Sequence, residues 1–404
     1  MTEVLLLESP HESADEVFQR YGANIRRISG AVEESELIEL LQGVDILGIR
    51  SKTTVSSRVI EQCPQLTAIG AYCIGTNQID LHAASEAGVA VFNAPYSNTR
   101  SVVEMVLGEI ISLTRKIPER NRALQAGVWE KSADGAHEVR GKTLGIIGYG
   151  SIGSQLSVLA EALGMRVLFY DIAEKLALGN AQRVNNIDAL LAQSDFVSLH
   201  IDGREENTNF FNRRMLSKLK PGAIFINLSR GHLVDLEALA EKLADGSISG
   251  AGIDVFPEEP NTNGDPFNSK LIGFNNVLLT PHIGGSTLEA QENIGQFVSS
   301  KLMDYWTIGA TDMSVNLPNL AAIRTDAANY RLAWVHRNTP GALARVNQLF
   351  ANAGANVSFQ SLATSGEYGY MITDTTETIN EGLIAELRES EPHLRMRILR
   401  PMPN

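Results

Sequence analysis

The stretch Gly148-Tyr149-Gly150-Ser151-Ile152-Gly153, with Asp171 beyond it, constrains this chain more than any other. The apolar run at 143–147 reads as a buried strand. Residues 151–163 follow with Ile152, Leu156, Leu159 and Leu163 on one helical face. A second apolar run, 167–170, ends in Asp171. Strand, glycine turn, helix, strand and acid stand in order. Gly148, Gly150 and Gly153 permit a tight turn and close approach of backbone to a pyrophosphate. Ser151 and Ile152 open the helix, whose unpaired N–H groups and positive dipole end suit phosphates. Asp171 suits an adenosine ribose and would repel a 2′-phosphate, so the expected cofactor is NAD rather than NADP. A glycine-rich turn of some other α/β protein is the plain alternative, and the full context argues against it.

The fingerprint lies mid-chain, so roughly 140 residues must form something else first. The chain's 404 residues suffice for two or three domains. Apolar runs at 4–7, 44–49, 66–69 and 89–92 read as parallel strands, with helical stretches at 34–41 and 57–62 between them. Ser101 and Glu104 have the spacing of a capping box opening a long helix through Leu113. Beyond Asp171, runs at 196–200, 223–228, 251–255 and 277–279 continue the alternation. A helix from Thr287 to about Trp306 is placed to cross back to the first domain. After a linker at 321–329, the strands 332–335, 357–362, 368–373 and 396–399 and the helices 341–353 and 379–387 follow the order βαββαβ. The expected fold class is α/β, with two Rossmann/flavodoxin-like parallel-sheet domains and a C-terminal ferredoxin-like domain. The expected boundaries are 1–98 with 285–326, then 99–284, then 330–404.

A net charge of −13 argues against nucleic-acid binding through bulk electrostatics. An anionic substrate then needs local Arg or Lys. The two cysteines, Cys63 and Cys73, have neither metal-ligand spacing nor a disulfide framework, so reduced thiols and no metal site are expected. The first residues lack a signal peptide's basic start and apolar core, and no run is long enough to span a bilayer. A cytoplasmic protein with no membrane partner is the expectation.

Ligands of open α/β sheets sit beyond the carboxyl ends of strands. Arg230, Glu259 and His282 follow three such strands. A histidine takes a hydroxyl proton as hydride leaves, a carboxylate orients the imidazole, and a guanidinium grips a substrate carboxylate. Singly, each has a bland reading as a solvated or satisfied side chain. Together they fit alcohol oxidation beside a nicotinamide. Just past another strand, Arg50 and Lys52 are cations placed to hold a phosphate, with Ser51 and Asn98 as donors.

These motifs, with Cys73–Gln78, Phe92–Ser101 and Leu278–Ser286, resemble the D-isomer-specific 2-hydroxyacid dehydrogenases, in particular the phosphoglycerate-oxidising branch with a C-terminal ACT domain. The resemblance covers nearly the whole chain. It implies Arg230 as substrate binder, Glu259 as histidine partner and His282 as acid/base. It implies NAD contacts from Ser151, Ile152 and Asp171, from Leu228, Ser229 and Arg230, from Asp254 at the carboxamide, and from His282, Ile283, Gly284 and Gly285. The implied reaction is oxidation of 3-phospho-D-glycerate to 3-phosphohydroxypyruvate, the first step toward L-serine. Trp129 and Lys131 match a segment that reaches a neighbouring subunit's site, which implies an oligomer, with local packing the alternative for Trp129; the expected assembly is a homotetramer. In the tail, His336, Asn338 and Asn356 match residues that bind L-serine between paired ACT domains, while Asn338 also suits a helix cap. One departure stands out. Relatives carry a Gly-Gly hinge where this chain reads Ala328-Asn329-Tyr330-Arg331, so less backbone freedom is expected there. Rival readings are another 2-oxoacid reductase (2-oxoglutarate, hydroxypyruvate or glyoxylate) and a non-enzymatic NAD-sensing corepressor.

Overall fold

The computed structural model describes residues 1–260, 264–323, 330–376, 379, 381–389 and 393–399. The chain divides into two compact units, Met1–Ser97 with Gln291–Asn404, and Asn98–Ala290.

The first unit opens with a five-stranded parallel sheet of β1 (Glu3–Leu7), β2 (Asn24–Ile28), β3 (Ile46–Ile49), β4 (Ala68–Ala71) and β5 (Ala90–Phe92). Its order is β2-β1-β3-β4-β5, so the connection reverses direction between β1 and β3. Every residue of β3 and β4 is buried, as expected of strands covered on both faces. β2 is not among the strands expected from the sequence, because its Asn-Ile-Arg-Arg-Ile has no apolar run. It is an edge strand with three of its five residues exposed.

The second unit holds β6 (Thr143–Ile147), β7 (Arg166–Tyr170), β8 (Gln182–Arg183), β9 (Phe196–Leu199), β10 (Ala223–Asn227), β11 (Ile248–Ile253) and β12 (Val277–Leu279). They form one parallel sheet in the order β12-β11-β10-β9-β6-β7-β8. This is the doubly wound Rossmann order, with its switch point between β6 and β9. The two-residue β8, polar and exposed, likewise carries no strand pattern in the sequence.

The Thr99–Thr114 helix packs on this sheet through Val102, Val103, Val106 and Ile110. It does not begin with the expected capping box. The helix starts at Thr99, so Ser101 is already inside its first turn. Its hydroxyl pairs with that of Thr287 at 2.8 Å, while Glu104 takes Arg100. The returning helix spans Leu288–Ile308, with Thr287 accepting from the amide of Ala290 at its start.

The tail is built from β13 (Tyr330–Arg337), β14 (Val357–Ser365), β15 (Tyr368–Thr375) and β16 (His393–Leu399), with helices Ala342–Asn352 and Glu381–Glu389. The antiparallel order β14-β15-β13-β16 is ferredoxin-like. One sheet face carries Leu332, Trp334 and Met371 against Val346, Phe350 and Leu383 of the two helices. Its other face, with Ala333, Val335, Tyr370 and Ile372, shares a core with Val298, Leu302 and Tyr305 of the returning helix. The tail therefore counts with the first unit instead of standing as a separate body. Arg331 is fully buried. It donates twice to Asp374, each at 2.7 Å, and to the carbonyls of Ile308 and Ile323, each at 2.9 Å. Of the stretch where relatives have a hinge, Ala328 and Asn329 lie outside the described residues, and Tyr330 and Arg331 are strand.

Candidate active site

The cofactor turn follows β6 at the switch point. Gly148 has φ +94, and a Cβ there would meet the carbonyl oxygen of His200 at 2.3 Å. A Cβ at Gly153 would meet the carbonyl oxygen of Gly148 at 2.2 Å. Gly150 faces open space instead, with nothing within 4 Å of its notional Cβ. It immediately precedes the Ser151–Ala162 helix. The turn, Asp171 and His200 line a cavity of ≈ 380 Å³. Asp171 accepts from the amides of Tyr149 at 2.7 Å and Ala173 at 2.8 Å, which ties the acid to the turn. An open glycine at a helix start beside a carboxylate-lined cavity fits a dinucleotide.

The three strand-end residues come together in this unit. His282 Nδ1 lies 2.7 Å from Glu259 Oε2, and Glu259 Oε1 accepts from the amide of Phe256 at 3.0 Å. The Glu259 hydrogen bond raises the imidazole above its ordinary pKa; partial burial opposes this, and the charges of Glu259 and Asp254 add to it. Burial pushes Glu259 up, but the bonds from His282 and the Phe256 amide outweigh it, so the carboxyl stays below its usual range. The Arg230 guanidinium acts on both, lowering each. Its Nη1 donates to the carbonyl of Ser229 at 2.7 Å. With Nδ1 held by a carboxylate, Nε2 is the nitrogen left for proton transfer.

Asp254 is buried and organises the loop that carries His282. Its oxygens accept from Thr280 Oγ1 at 2.6 Å, the amide of Ile283 at 2.8 Å and the amide of Gly284 at 2.7 Å. Its carbonyl accepts from the amide of His282 at 2.8 Å, where the histidine has φ +53. Leu228 and Ser229 are buried, and the Ser229 hydroxyl donates to the carbonyl of Leu199. Asn98 lies against Gly285, with its Oδ1 buried and unpartnered among the described residues. Arg50, Ser51 and Lys52 belong to the first unit, after β3.

Two residues escaped the sequence reading. Thr280 helps hold Asp254. Glu109 is buried on the Thr99–Thr114 helix, with neither carboxyl oxygen partnered among the described residues. Burial, and then the charge of Asp254, push its carboxyl up to about 8. The signal was present: Glu109 falls three residues after Val106 and seven after Val102, inside the apolar stripe.

In the tail, His336 is buried, its ring stacked on Trp334 at 4.4 Å and its Nδ1 2.8 Å from the carbonyl of Arg337. Burial lowers its pKa. Asn338 does not cap the next helix, which starts from Gly341; its Nδ2 donates to the carbonyl of Gly366. Asn356 donates to Thr376 Oγ1. His336 pairs with Gly369 at the start of β15, whereas Thr376 follows its end. The structure thus brings His336 and Asn338 together and sets Asn356 at the opposite end of the sheet.

Residues 107–284 match the family described as D-isomer specific 2-hydroxyacid dehydrogenase, NAD binding domain, and residues 332–390 match the AHAS small subunit-like ACT domain. Fold and site together define an NAD-dependent oxidoreductase of the 2-hydroxyacid dehydrogenase class. D-3-phosphoglycerate dehydrogenase of Haemophilus influenzae is 48% identical over 396 residues, covering 98% of this chain and 96% of that protein. The Escherichia coli protein of the same name is 47% identical over 398 residues, covering 98% and 97%. The chain belongs to the D-3-phosphoglycerate dehydrogenase family. Among solved structures, D-2-hydroxyisocaproate dehydrogenase superposes with a TM-score of 0.71 at 27% identity, over 78% of this chain and 100% of that one. No described helix is long and apolar enough to cross a membrane.

Proposed function

We propose that this protein oxidises 3-phospho-D-glycerate to 3-phosphohydroxypyruvate with NAD. The observation that carries the proposal is the 2.7 Å pair of His282 Nδ1 and Glu259 Oε2 beside Arg230, in a chain this similar to its relatives. NAD supplies the hydride acceptor. Arg230 grips the substrate carboxylate in two hydrogen bonds and holds C2 in place. His282 Nε2 takes the C2 hydroxyl proton, and Glu259 stabilises the imidazolium that results. In the reverse direction the same imidazolium returns the proton to the carbonyl oxygen. Ser151, Ile152 and Asp171 hold the adenosine side of the cofactor, with Leu228, Ser229, Asp254 and Ile283–Gly285 on its nicotinamide side. Arg50 and Lys52 take the substrate's phosphate, with Ser51 and Asn98 donating to it.

The tail is read as an L-serine site. His336 and Asn338 at one end of the sheet and Asn356 at the other serve one ligand when two tails pair end to end, so the effector site needs a second copy. The exposed Trp129, at 78%, and the Ile117–Gln125 helix, none of whose residues is buried, favour further pairing toward a homotetramer. The test is the initial rate of NADH formation from 3-phosphoglycerate with and without millimolar L-serine. Turnover suppressed by serine supports both readings. Turnover indifferent to serine removes the effector. No turnover in either direction, with phosphohydroxypyruvate tried as well, removes the substrate.

A further inference from the structure

The first unit's sheet reverses its winding between β1 and β3, the place where open α/β sheets bind ligands beyond their carboxyl ends. Two segments emerge there. Glu8 follows β1, and Arg50–Thr53 follows β3. The Glu8 side chain folds across to the second segment and accepts from three successive amides. They are Ser51 at 3.1 Å, Lys52 at 3.0 Å and Thr53 at 2.8 Å. The carbonyl of Arg50 accepts from Gln78 Nε2 at 2.5 Å. Glu8 is buried, and both Glu8 and Ser9 take left-handed backbone, with φ +63 and +51. Neither residue is glycine, so the turn persists because its surroundings hold it.

Successive amides of this kind form an anion cradle, which in other proteins receives a ligand's phosphate. Here the chain's own carboxylate fills it. We propose that Glu8 is a positioning residue for the substrate's phosphate: by filling the amide cradle at 51–53 it fixes the backbone from which Arg50 and Lys52 project, so the phosphate is bound by side-chain cations rather than by amides. The proposal rests on the reading of Arg50 and Lys52 as phosphate binders. It explains why a carboxylate stands so near an anion site: its charge is spent on three N–H groups.

The test is steady-state reduction by NADH of phosphohydroxypyruvate and of unphosphorylated hydroxypyruvate. It uses the full chain and its Glu8→Gln, Glu8→Asp and Arg50→Ala variants. Glutamine presents an N–H₂ to the cradle and loses acceptor capacity. Glu8→Gln is expected to raise KM for the phosphorylated substrate about tenfold, the order for one buried charge-assisted bond. Its kcat, its KM for NADH and its hydroxypyruvate kinetics stay within about twofold. Glu8→Asp keeps the carboxylate on a shorter arm and should fall between. An unchanged KM in Glu8→Gln, or equal losses with both substrates, overturns the proposal. If Arg50→Ala is selective for the phosphorylated substrate and Glu8→Gln is not, only the role of Glu8 fails. If Arg50→Ala is not selective either, the phosphate reading fails with it.

Discussion

After β6, at the switch point of the second unit's sheet, the backbone is left bare: Gly150 faces open space and the helix behind it offers free amides. After β3, which flanks the first unit's switch point as β9 flanks the second's, three amides are already taken by Glu8. The proposed function has one sheet meet its ligand through main chain and the other through side chains. A bare glycine turn suits a group common to many enzymes, the cofactor pyrophosphate. Side-chain cations can be exchanged without refolding a turn, which suits the part of the site that tells one 2-hydroxyacid from another.

The comparison is broken most sharply by removing the proposed acid/base. His282→Ala should lower kcat by roughly 10²- to 10⁴-fold while NADH binding, followed by fluorescence titration, persists. Retained turnover would move the acid/base elsewhere. Next come the two glycines of the bare turn. Gly153→Ala drives a Cβ into the carbonyl of Gly148 and should destabilise the fold by roughly 1–3 kcal/mol in a thermal melt. Gly150→Ala should melt like the parent yet raise KM for NAD severalfold; if the two variants melt alike, the turn is not as the contacts describe.

Smaller in effect is Glu259→Gln. Glu259 raises the His282 pKa, so its loss lets the imidazole deprotonate at lower pH. The rise of kcat/KM for oxidation, which needs neutral His282, should begin at lower pH, and reduction should lose its acid plateau sooner. An unshifted profile would detach the titration from the pair. Smallest is Glu109→Gln. Between about pH 4.5 and about 8 the folded parent holds a proton that the unfolded chain has lost, so its stability falls as pH rises through that window. The variant has no such proton, and its melting temperature should gain a few degrees on the parent between pH 5 and 8.

The central strands were legible because burial on both faces writes them as unbroken apolar runs, as in β3 and β4. The edges were not, since β2 and β8 are polar and are strands only because a neighbour pairs with them. The glycine turn and the three strand-end residues could be read because each sits at a fixed offset from such a run. Ser101 and Glu104 misled because capping spacing also occurs just inside a helix's start. Glu109 hid in an apolar stripe, where a carboxyl is not expected. Glu8 was invisible for another reason: its partners are backbone amides more than forty residues away, and amides carry no sequence signature.

The buried pair of Arg331 and Asp374 works inside the tail's own sheet, where the two residues face each other across β13 and β15. Parting β13 from β15 would strand a guanidinium and a carboxylate at once, whereas lifting the sheet as a whole keeps that pair and costs Arg331 only its bonds to the carbonyls of Ile308 and Ile323. The pair thus ties the sheet to itself, and the two carbonyls tie it to the end of the returning helix and the chain beyond it. In mechanical terms the sheet is a plate, its middle strands bolted to each other, rather than a set of hinged strips.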